Sequence, residues 1–399
     1  MNFVGVDVGK QSHAVASVGA AGAAIGKPRM IQQDANGYAL LAEHLEQIGG
    51  PSDVLVAMEA TGHYWKTLRH DLSGRGYHVD VINPLITSRE ASADVRGRKT
   101  DKLDAVAIAQ VARRGGYSSA PPEDADVDSL KSLVRQRQYL VERRTAAKLR
   151  YSSSLELLFA ECRKAFRDIY TTTALALVER FPSARLLATA DIRSITSTAR
   201  KASGINSMRT FAEELKQAAR CSVSLGILNT GEEFALTQLV AEIRSLEAQI
   251  KQVDQHITAC KAPAAAHFLR SIKGAGAILP RIIASELGDL DRFRGPDMSS
   301  RILAFAGAEP RVRESGSWKG KTKMSKRGSR TLRHALYLMA GCVRLHNPFF
   351  QDIYQRQIAK GKHHRVAMSH VMRKIVEVLC GMYKSGSLFS PETETQKCS

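Results

Sequence analysis

Phe3-Val4-Gly5-Val6-Asp7-Val8, closed by Gly9, decides how the first third of this chain folds. The run is short and rich in β-branched residues, the composition of a buried strand. It also carries a carboxylate that such a strand cannot bury without a partner. Residues 13–18 alternate and follow closely enough to form a hairpin with it, and residues 24–32 read as a third strand. Tyr38, Leu41, Leu45 and Ile48 step at helical spacing, which predicts a helix over 36–48 stopped by Gly49-Gly50-Pro51. Residues 54–58 are a buried strand run, 63–72 a helix, 77–82 a strand ended by Asn83-Pro84, and 101–113 a helix with apolar Leu103, Val106, Ala107 and Val111. Three strands followed by alternating helices and strands predict an α/β domain whose later strands pair in parallel.

The acids of this domain come next. Asp7 sits in the first strand, and Glu59 ends the fourth within Val56-Ala57-Met58-Glu59-Ala60-Thr61-Gly62. Asp101 and Asp104 are three apart and share one helix face. Four carboxylates meeting at strand ends and one helix suit hard, oxygen-seeking cations such as Mg²⁺. A pair of such ions activates an attacking oxygen and stabilises a leaving oxygen at a phosphodiester. Each acid alone also has a structural reading. Asp7 could cap the turn at Gly9-Lys10, and Glu59 the helix after it. Asp101 could be a first-turn acid favoured by the helix dipole, and Asp104 could pair with a nearby lysine. Their joint placement favours the metal site.

Composition narrows the partner. Across 399 residues, 58 Lys and Arg against 39 Asp and Glu leave a net charge of +19. That balance points to DNA or RNA, with an anionic membrane surface the weaker alternative. A hydrophobic fraction of 44% supplies folded cores, and the length predicts more than one domain. No apolar run is long enough to span a bilayer, and the start lacks the pattern of a signal peptide. Cys162, Cys221, Cys260, Cys342, Cys380 and Cys398 form no C-x-x-C pair. This argues against a zinc knuckle or a disulfide framework and fits a reducing cytoplasm.

Pro121-Pro122-Glu123-Asp124 separates the first domain from a helical middle. Residues 127–161 contain neither Gly nor Pro and carry Lys131, Arg135, Arg137, Arg143, Arg144, Lys148 and Arg150. Such a helix either tracks a phosphate backbone or is a solvated face. Over 232–257, Leu236, Leu239, Ile243, Leu246, Ile250, Val253 and Ile257 make a heptad seam, to be covered by the first long helix or by a second subunit. Between them, 171–180 and 208–220 read as helices without identifiable chemistry. Gly274-Ala275-Gly276, ahead of an apolar helix over 277–287, resembles a helix-hairpin-helix, whose glycine amides bind phosphate; an ordinary tight turn fits equally.

Residues 311–328 are basic and rich in Gly and Ser, and precede a helix over 329–343. A serine here could contact phosphate or, with activation, attack it. Spacing does not choose among Ser315, Ser317 and Ser325. Lys360, Lys362, His363, His364 and Arg365 read as a phosphate-facing loop rather than a metal site, before a helix over 366–383.

Taken together, the chain resembles the insertion-sequence transposases and recombinases with an N-terminal DEDD RuvC-like domain and a C-terminal transposase domain bearing a catalytic serine. Some members are guided by a bridge RNA, and the Piv-type invertases are relatives. The matching pieces begin with Gly5-Val6-Asp7 with Lys10, Glu59-Ala60-Thr61-Gly62, Val81-Ile82-Asn83-Pro84, and Lys99-Thr100-Asp101 with Asp104-Ala105. Later come residues 272–276, Phe305-Ala306-Gly307 with Pro310, Glu314-Ser315-Gly316, Ser325-Lys326-Arg327-Gly328 with Leu332-Arg333, and Met372-Arg373-Lys374.

The resemblance implies an RNase H/RuvC-like α/β domain over 1–120, a helical coiled-coil region with an insertion over 121–262, and a mostly helical transposase domain over 263–399. It implies Mg²⁺ or Mn²⁺ on Asp7, Glu59, Asp101 and Asp104, and Ser315 as the nucleophile that forms a phosphoserine with cleaved DNA. The residues expected against nucleic acid are Lys10, Lys99, Arg135, Arg143, Arg144, Gly274, Gly276, Arg313, Lys319, Lys321, Lys323, Lys326, Arg327 and Arg333. Donor and target DNA, a bridge RNA pairing with both, a homodimer or homotetramer with composite active sites, and a bacterial cytoplasm at the nucleoid complete the expectation. The span between the two long helices looks longer than in short family members. The competing readings are an invertase without RNA, a RuvC-type junction-resolving nuclease in which water attacks, and a non-enzymatic binding protein, against which the complete acid set argues.

Overall fold

A computed structural model describes residues 1–60, 62–84, 86–87, 100–117, 124–311, 314–315, 318–319 and 323–391. They fall into two compact units, Met1–Pro122 and Glu123–Ser399. The first holds a five-stranded sheet of β1 (Asn2–Val8), β2 (Ser12–Val18), β3 (Arg29–Gln32), β4 (Val54–Glu59) and β5 (His78–Ile82), in the order β3-β2-β1-β4-β5. β1, β2 and β3 pair antiparallel, while β1–β4 and β4–β5 are parallel, as the alternation of elements predicts and as an RNase H-like domain requires. The third strand is shorter than expected. Ala24 makes only a bridge to Val18, and pairing resumes at Arg29. Between them stand Gly26, at φ +73°, and Pro28, which has no N–H to donate.

The helices of this unit are α1 (Ala35–Gln47), α2 (Gly50–Asp53), α3 (Trp65–Gly74) and α4 (Asp101–Arg114). On one sheet face Val4, Val6, Val56, Met58 and Val79 pack with Leu41, Leu45, Leu68 and Leu72 of α1 and α3. On the other, Ala57 and Ile82 pack with Ile108, Val111 and Ala112 of α4, and Ala14 and Ala16 with Ala105. Small residues let α4 lie directly on the backbone. A Cβ on Gly5 would stand 2.1 Å from the Ala105 carbonyl oxygen and 2.4 Å from the Ala109 nitrogen.

The second unit contains α5 (Ala125–Leu158), α6 (Cys162–Phe166), α7 (Thr172–Arg180), α8 (Ala184–Thr189), α9 (Ile192–Ser203), α10 (Arg209–Arg220) and α11 (Thr230–Ala259). Then follow α12 (Ala264–Arg270), α13 (Ile278–Leu287), α14 (Met298–Ala306), α15 (Arg330–His346), α16 (Pro348–Ala359) and α17 (His364–Ser385). The heptad seam closes within the chain, on α5. Leu236, Leu239, Ile243, Leu246, Ile250 and Ile257 are buried, and α5 answers with Leu130, Val134, Leu140, Tyr151, Leu155 and Leu158. Each such side chain contributes about 1.5–3 kcal/mol by leaving water. Arg137–Asp254, Arg143–Glu242 and Lys148–Glu247 pairs flank the seam.

This helix pair carries two cores. One gathers α6–α10 around the C-terminal half of α5 and the facing part of α11, and includes Phe159, Cys162, Leu175, Leu187 and Leu215. The other gathers α12–α17 around Leu130, Val134 and Ile257. Residue 262, expected to end a central region, lies inside the second unit. Among the described residues no helix is long and apolar enough to cross a membrane.

Candidate active site

Topology sets Asp7 beside Glu59 and turns the start of α4 toward the same end of the sheet. In the parallel pairing of β1 with β4, Val6 stands beside Met58. Asp7 and Glu59, one residue further on, therefore lie side by side on adjacent strands, about 4.8 Å apart in backbone terms. Both follow the alternation of Gly5 and Ala57, whose face packs on α4. α4 runs back along β1: Ile108 and Ala112 share a cluster with Phe3, whereas Ala105 packs by Ala14, the register partner of Asp7. Its first turn, with Asp101 and Asp104, thus lies toward the Asp7 end. That turn is fixed by Thr100, whose side chain accepts from the Leu103 N–H at 3.3 Å.

A residue the sequence did not flag steadies this site. Thr87, 3% exposed, donates its hydroxyl to Glu59 Oε2 at 2.7 Å. No spacing signal marks it. A fifth acid near the same helix is engaged elsewhere: Asp80 accepts from the Tyr117 hydroxyl at 2.6 Å. Burial and that bond push the Tyr117 phenol up, so it stays protonated.

Among the described residues no three His, Cys, Asp or Glu stand close enough to hold an ion together. The acids gather at one end of the unit without closing into a cage. The donor chemistry nevertheless suits Mg²⁺, which is commonly held by one or two carboxylates with water and substrate phosphate completing its octahedron. The adjacent pair Asp7 and Glu59 supplies that minimum.

In the second unit, the segment expected to carry the serine is a hairpin-like excursion between α14 and α15. Ser315 lies in β7 (Glu314–Ser315), paired with β8 (Trp318–Lys319), while β6 (Pro310–Arg311) pairs with β9 (Lys323–Met324). Its base is pinched shut. The Ser325 and Lys326 N–H groups donate to the Glu309 and Gly307 carbonyls, and Ser329 N–H to Phe305. The two strands pass so closely that both crossing points are glycine. A Cβ on Gly307, at φ +64°, would lie 2.9 Å from the Arg327 carbonyl, and one on Gly328, at φ +146°, 2.3 Å from the Phe305 oxygen.

Beneath the base lies a cluster of buried charge. Ser329 caps α15 by accepting from Leu332 N–H and donates its hydroxyl to Glu286 Oε2 at 2.7 Å. Glu286 is buried, and its other oxygen has no partner among the described residues. The charge of Glu286 reaches Lys131 and Arg292, in each of which burial lowers the proton affinity. The Arg292 guanidinium rests 4.5 Å from the Phe293 ring and 4.4 Å from the Phe305 ring.

The residues expected against nucleic acid are in varied settings. Lys10, Arg135, Lys326 and Arg327 are exposed, and Arg144 is half-buried. Arg143 pairs with Glu242, and Arg333 donates to the Ala306 carbonyl at 2.8 Å. Gly274, at φ +96°, lets its loop approach α15: a Cβ there would come within 3.0 Å of the Cys342 oxygen. Gly276 has open space around it. Lys99, Arg313 and Lys321 lie outside the described residues, as do the side chains of Ser315, Lys319 and Lys323.

Comparison with known proteins places this geometry. Residues 4–160 match the transposase family description of the DEDD IS110 type, and residues 266–355 match the transposase IS116/IS110/IS902 family. The chain is 25% identical over 98% of its length to an uncharacterised protein of insertion element IS116 from Streptomyces clavuligerus, of which the match covers 96%. It is 22% identical over 82% of its length to a pilin gene-inverting protein of Moraxella bovis, covering 79% of that chain. A transposase for insertion sequence element IS1111A from Coxiella burnetii is 23% identical over 74% of this chain and 67% of its own. With an N-terminal DEDD domain and a C-terminal transposase domain matched in that order, the chain is a transposase of the IS110/IS116 family, an enzyme of DNA recombination.

Proposed function

We propose that this transposase cuts and rejoins DNA through a phosphoserine on Ser315, with Mg²⁺ (or Mn²⁺) held by Asp7 and Glu59 and approached by Asp101 and Asp104. The observation that carries the reading is the placement of Asp7 and Glu59 side by side, at the end of the sheet toward which the first turn of α4 points. The Ser315 oxygen would bond to the scissile phosphorus as the P–O bond to a deoxyribose oxygen breaks, and that oxygen leaves as a hydroxyl carrying a proton. Attack by a hydroxyl of a second strand reverses the step, joins the strands and frees the serine. Bond energy is kept in the phosphoserine, so no nucleotide cofactor is needed. A bound divalent cation would offset negative charge on the phosphate.

The expected cations and glycines would line the path of DNA, and a bridge RNA and a dimer or tetramer belong to the same proposal. A bacterial cytoplasm, on the nucleoid, is where such an enzyme works. The pilin gene-inverting relatives favour a second reading, site-specific inversion, which we take to proceed without a guide RNA. Purification with native flanking DNA, followed by sequencing of bound nucleic acid, separates the two: one discrete RNA from the flank supports guidance, and none supports an invertase. Covalent protein–DNA complexes trapped with Mg²⁺ should disappear in Ser315→Ala and Asp7→Ala while DNA binding persists. Trapped complexes in Ser315→Ala would end the serine assignment, and protein-free cleaved ends would point to a nuclease.

A further inference from the structure

By sequence, the long helix α5 is the natural phosphate-tracking element. The fold spends much of its charge internally, since Arg137, Arg143 and Lys148 all pair with acids of α11. The turn between α16 and α17 is the opposite case. Lys360, Lys362, Arg365 and Arg373 are exposed there, and among the described residues none has an ion-pair partner. The nearby acids are taken: Asp352 pairs with Arg356, and Glu377 with Lys374.

Three of these charges bear on one histidine. The proton affinity of half-buried His370 is lowered by burial and then by Lys362, Arg373 and Lys360. The two histidines of the turn are already engaged, which disfavours a metal. His363 caps α17 by accepting from the Arg365 N–H, and His364 Nδ1 bonds the Tyr354 hydroxyl at 2.8 Å.

We propose that this turn, with Lys360, Lys362, Arg365 and Arg373, is a docking surface for the sugar-phosphate backbone of duplex DNA, apart from the catalytic residues. Arg365 and Arg373 are eight residues apart on one helix, about 12 Å along its axis. That span is comparable to the roughly 12 Å width of the B-DNA major groove, so the two can reach phosphates on either side of it. Single strands are usually gripped by exposed aromatic platforms. Here Tyr354 is half-buried and its ring is already covered by Arg344 at 4.5 Å. The matched transposase domain ends at residue 355, before the surface begins. The proposal rests on DNA being the substrate.

The test is equilibrium binding of the full chain to an arbitrary-sequence duplex of about 30 base pairs across a salt series. Each phosphate contact contributes about 0.9 to the slope of log affinity against log salt. Replacing Lys360, Lys362, Arg365 and Arg373 by Ala should make the slope shallower by about three to four and weaken binding at least tenfold at ~0.1 M salt. A control lacking four exposed cations elsewhere, Lys27, Arg193, Lys201 and Lys251, should change the slope by less than about one. On the unaltered protein, bound duplex should protect Lys360 and Lys362 from acetylation, a measurement independent of how the variant folds. Equal losses in the two variants, no protection, or a loss seen with RNA and not DNA would overturn the surface. An unaltered chain that binds no DNA would overturn the substrate reading as well, whereas DNA binding indifferent to the turn removes this proposal alone.

Discussion

Replacing Gly5 by alanine tests whether the sheet and α4 must touch for the acids to work. The added methyl would fall 2.1 Å from the Ala105 oxygen and 2.4 Å from the Ala109 nitrogen, both backbone atoms of a helix interior. Non-bonded contacts settle near 3.5 Å, so α4 has to retreat by roughly 1.4 Å. Forcing such an overpacked contact costs about 1–3 kcal/mol. The gain of about 0.5–1 kcal/mol from removing a strand glycine offsets only part of that. The retreat would also carry Asp101 and Asp104 away from Asp7 and Glu59, and a displacement of about 1 Å at reacting groups can cost on the order of a hundredfold in rate. Urea unfolding of the first unit, followed through Trp65, reads the stability loss. Strand cleavage, measured well below the variant's unfolding temperature, reads the site. A Gly5→Ala protein with wild-type stability and cleavage would show that α4 does not rest on β1 as described.

Three further outcomes are expected. Ser329→Ala removes the cap of α15 and takes from buried Glu286 the hydroxyl that donates to it, so the second unit should lose about 1–3 kcal/mol in urea; an unchanged midpoint would contradict the cluster. Burial holds His13 below its ordinary value of 6.5. The folded ring therefore stays neutral while the unfolded chain takes up a proton below that pH. Stability should be full above about pH 6.5 and fall as pH drops toward the folded value, and His13→Leu should flatten part of that fall, His44 contributing the same sign. Burial pushes the Cys162 and Cys380 thiols up to about 11. Exposed Cys221 should thus alkylate before either of them at pH 8, and labelling of Cys162 without denaturant would contradict its burial.

Where the chain alternates cleanly, its sequence was readable. β1, β4, β5, α4, α5 and α11 fall within a few residues of where β-branched runs and three-four spacing put them. β3 fell short because a glycine at positive φ and a proline interrupt pairing that composition alone allowed. The pairing of Asp7 with Glu59 could be anticipated from parallel order, since adjacent parallel strands bring their carboxyl ends together. The partners Thr87 and Glu286 could not, because each depends on a contact between residues 28 or more apart with no periodic signature. The charge of α5 stays open to two readings for a related reason. A sequence shows how many cations a helix bears but not which acids of another helix will neutralise them.

The shared helix pair has a consequence for taking the protein apart. α5, 34 residues and about 51 Å long, contributes Leu130 and Val134 to one core and Leu140 to Leu158 to the other. A fragment beginning at residue 263 would lose Leu130, Val134 and Ile257 from the middle of its interior and should be insoluble or molten. An excision of 162–228 that splices α5 to α11 through a short loop would instead keep the seam but strip its outer flank, exposing residues such as Leu155 and Leu236. The chain is better cut near residue 122, where one compact unit ends and the other begins.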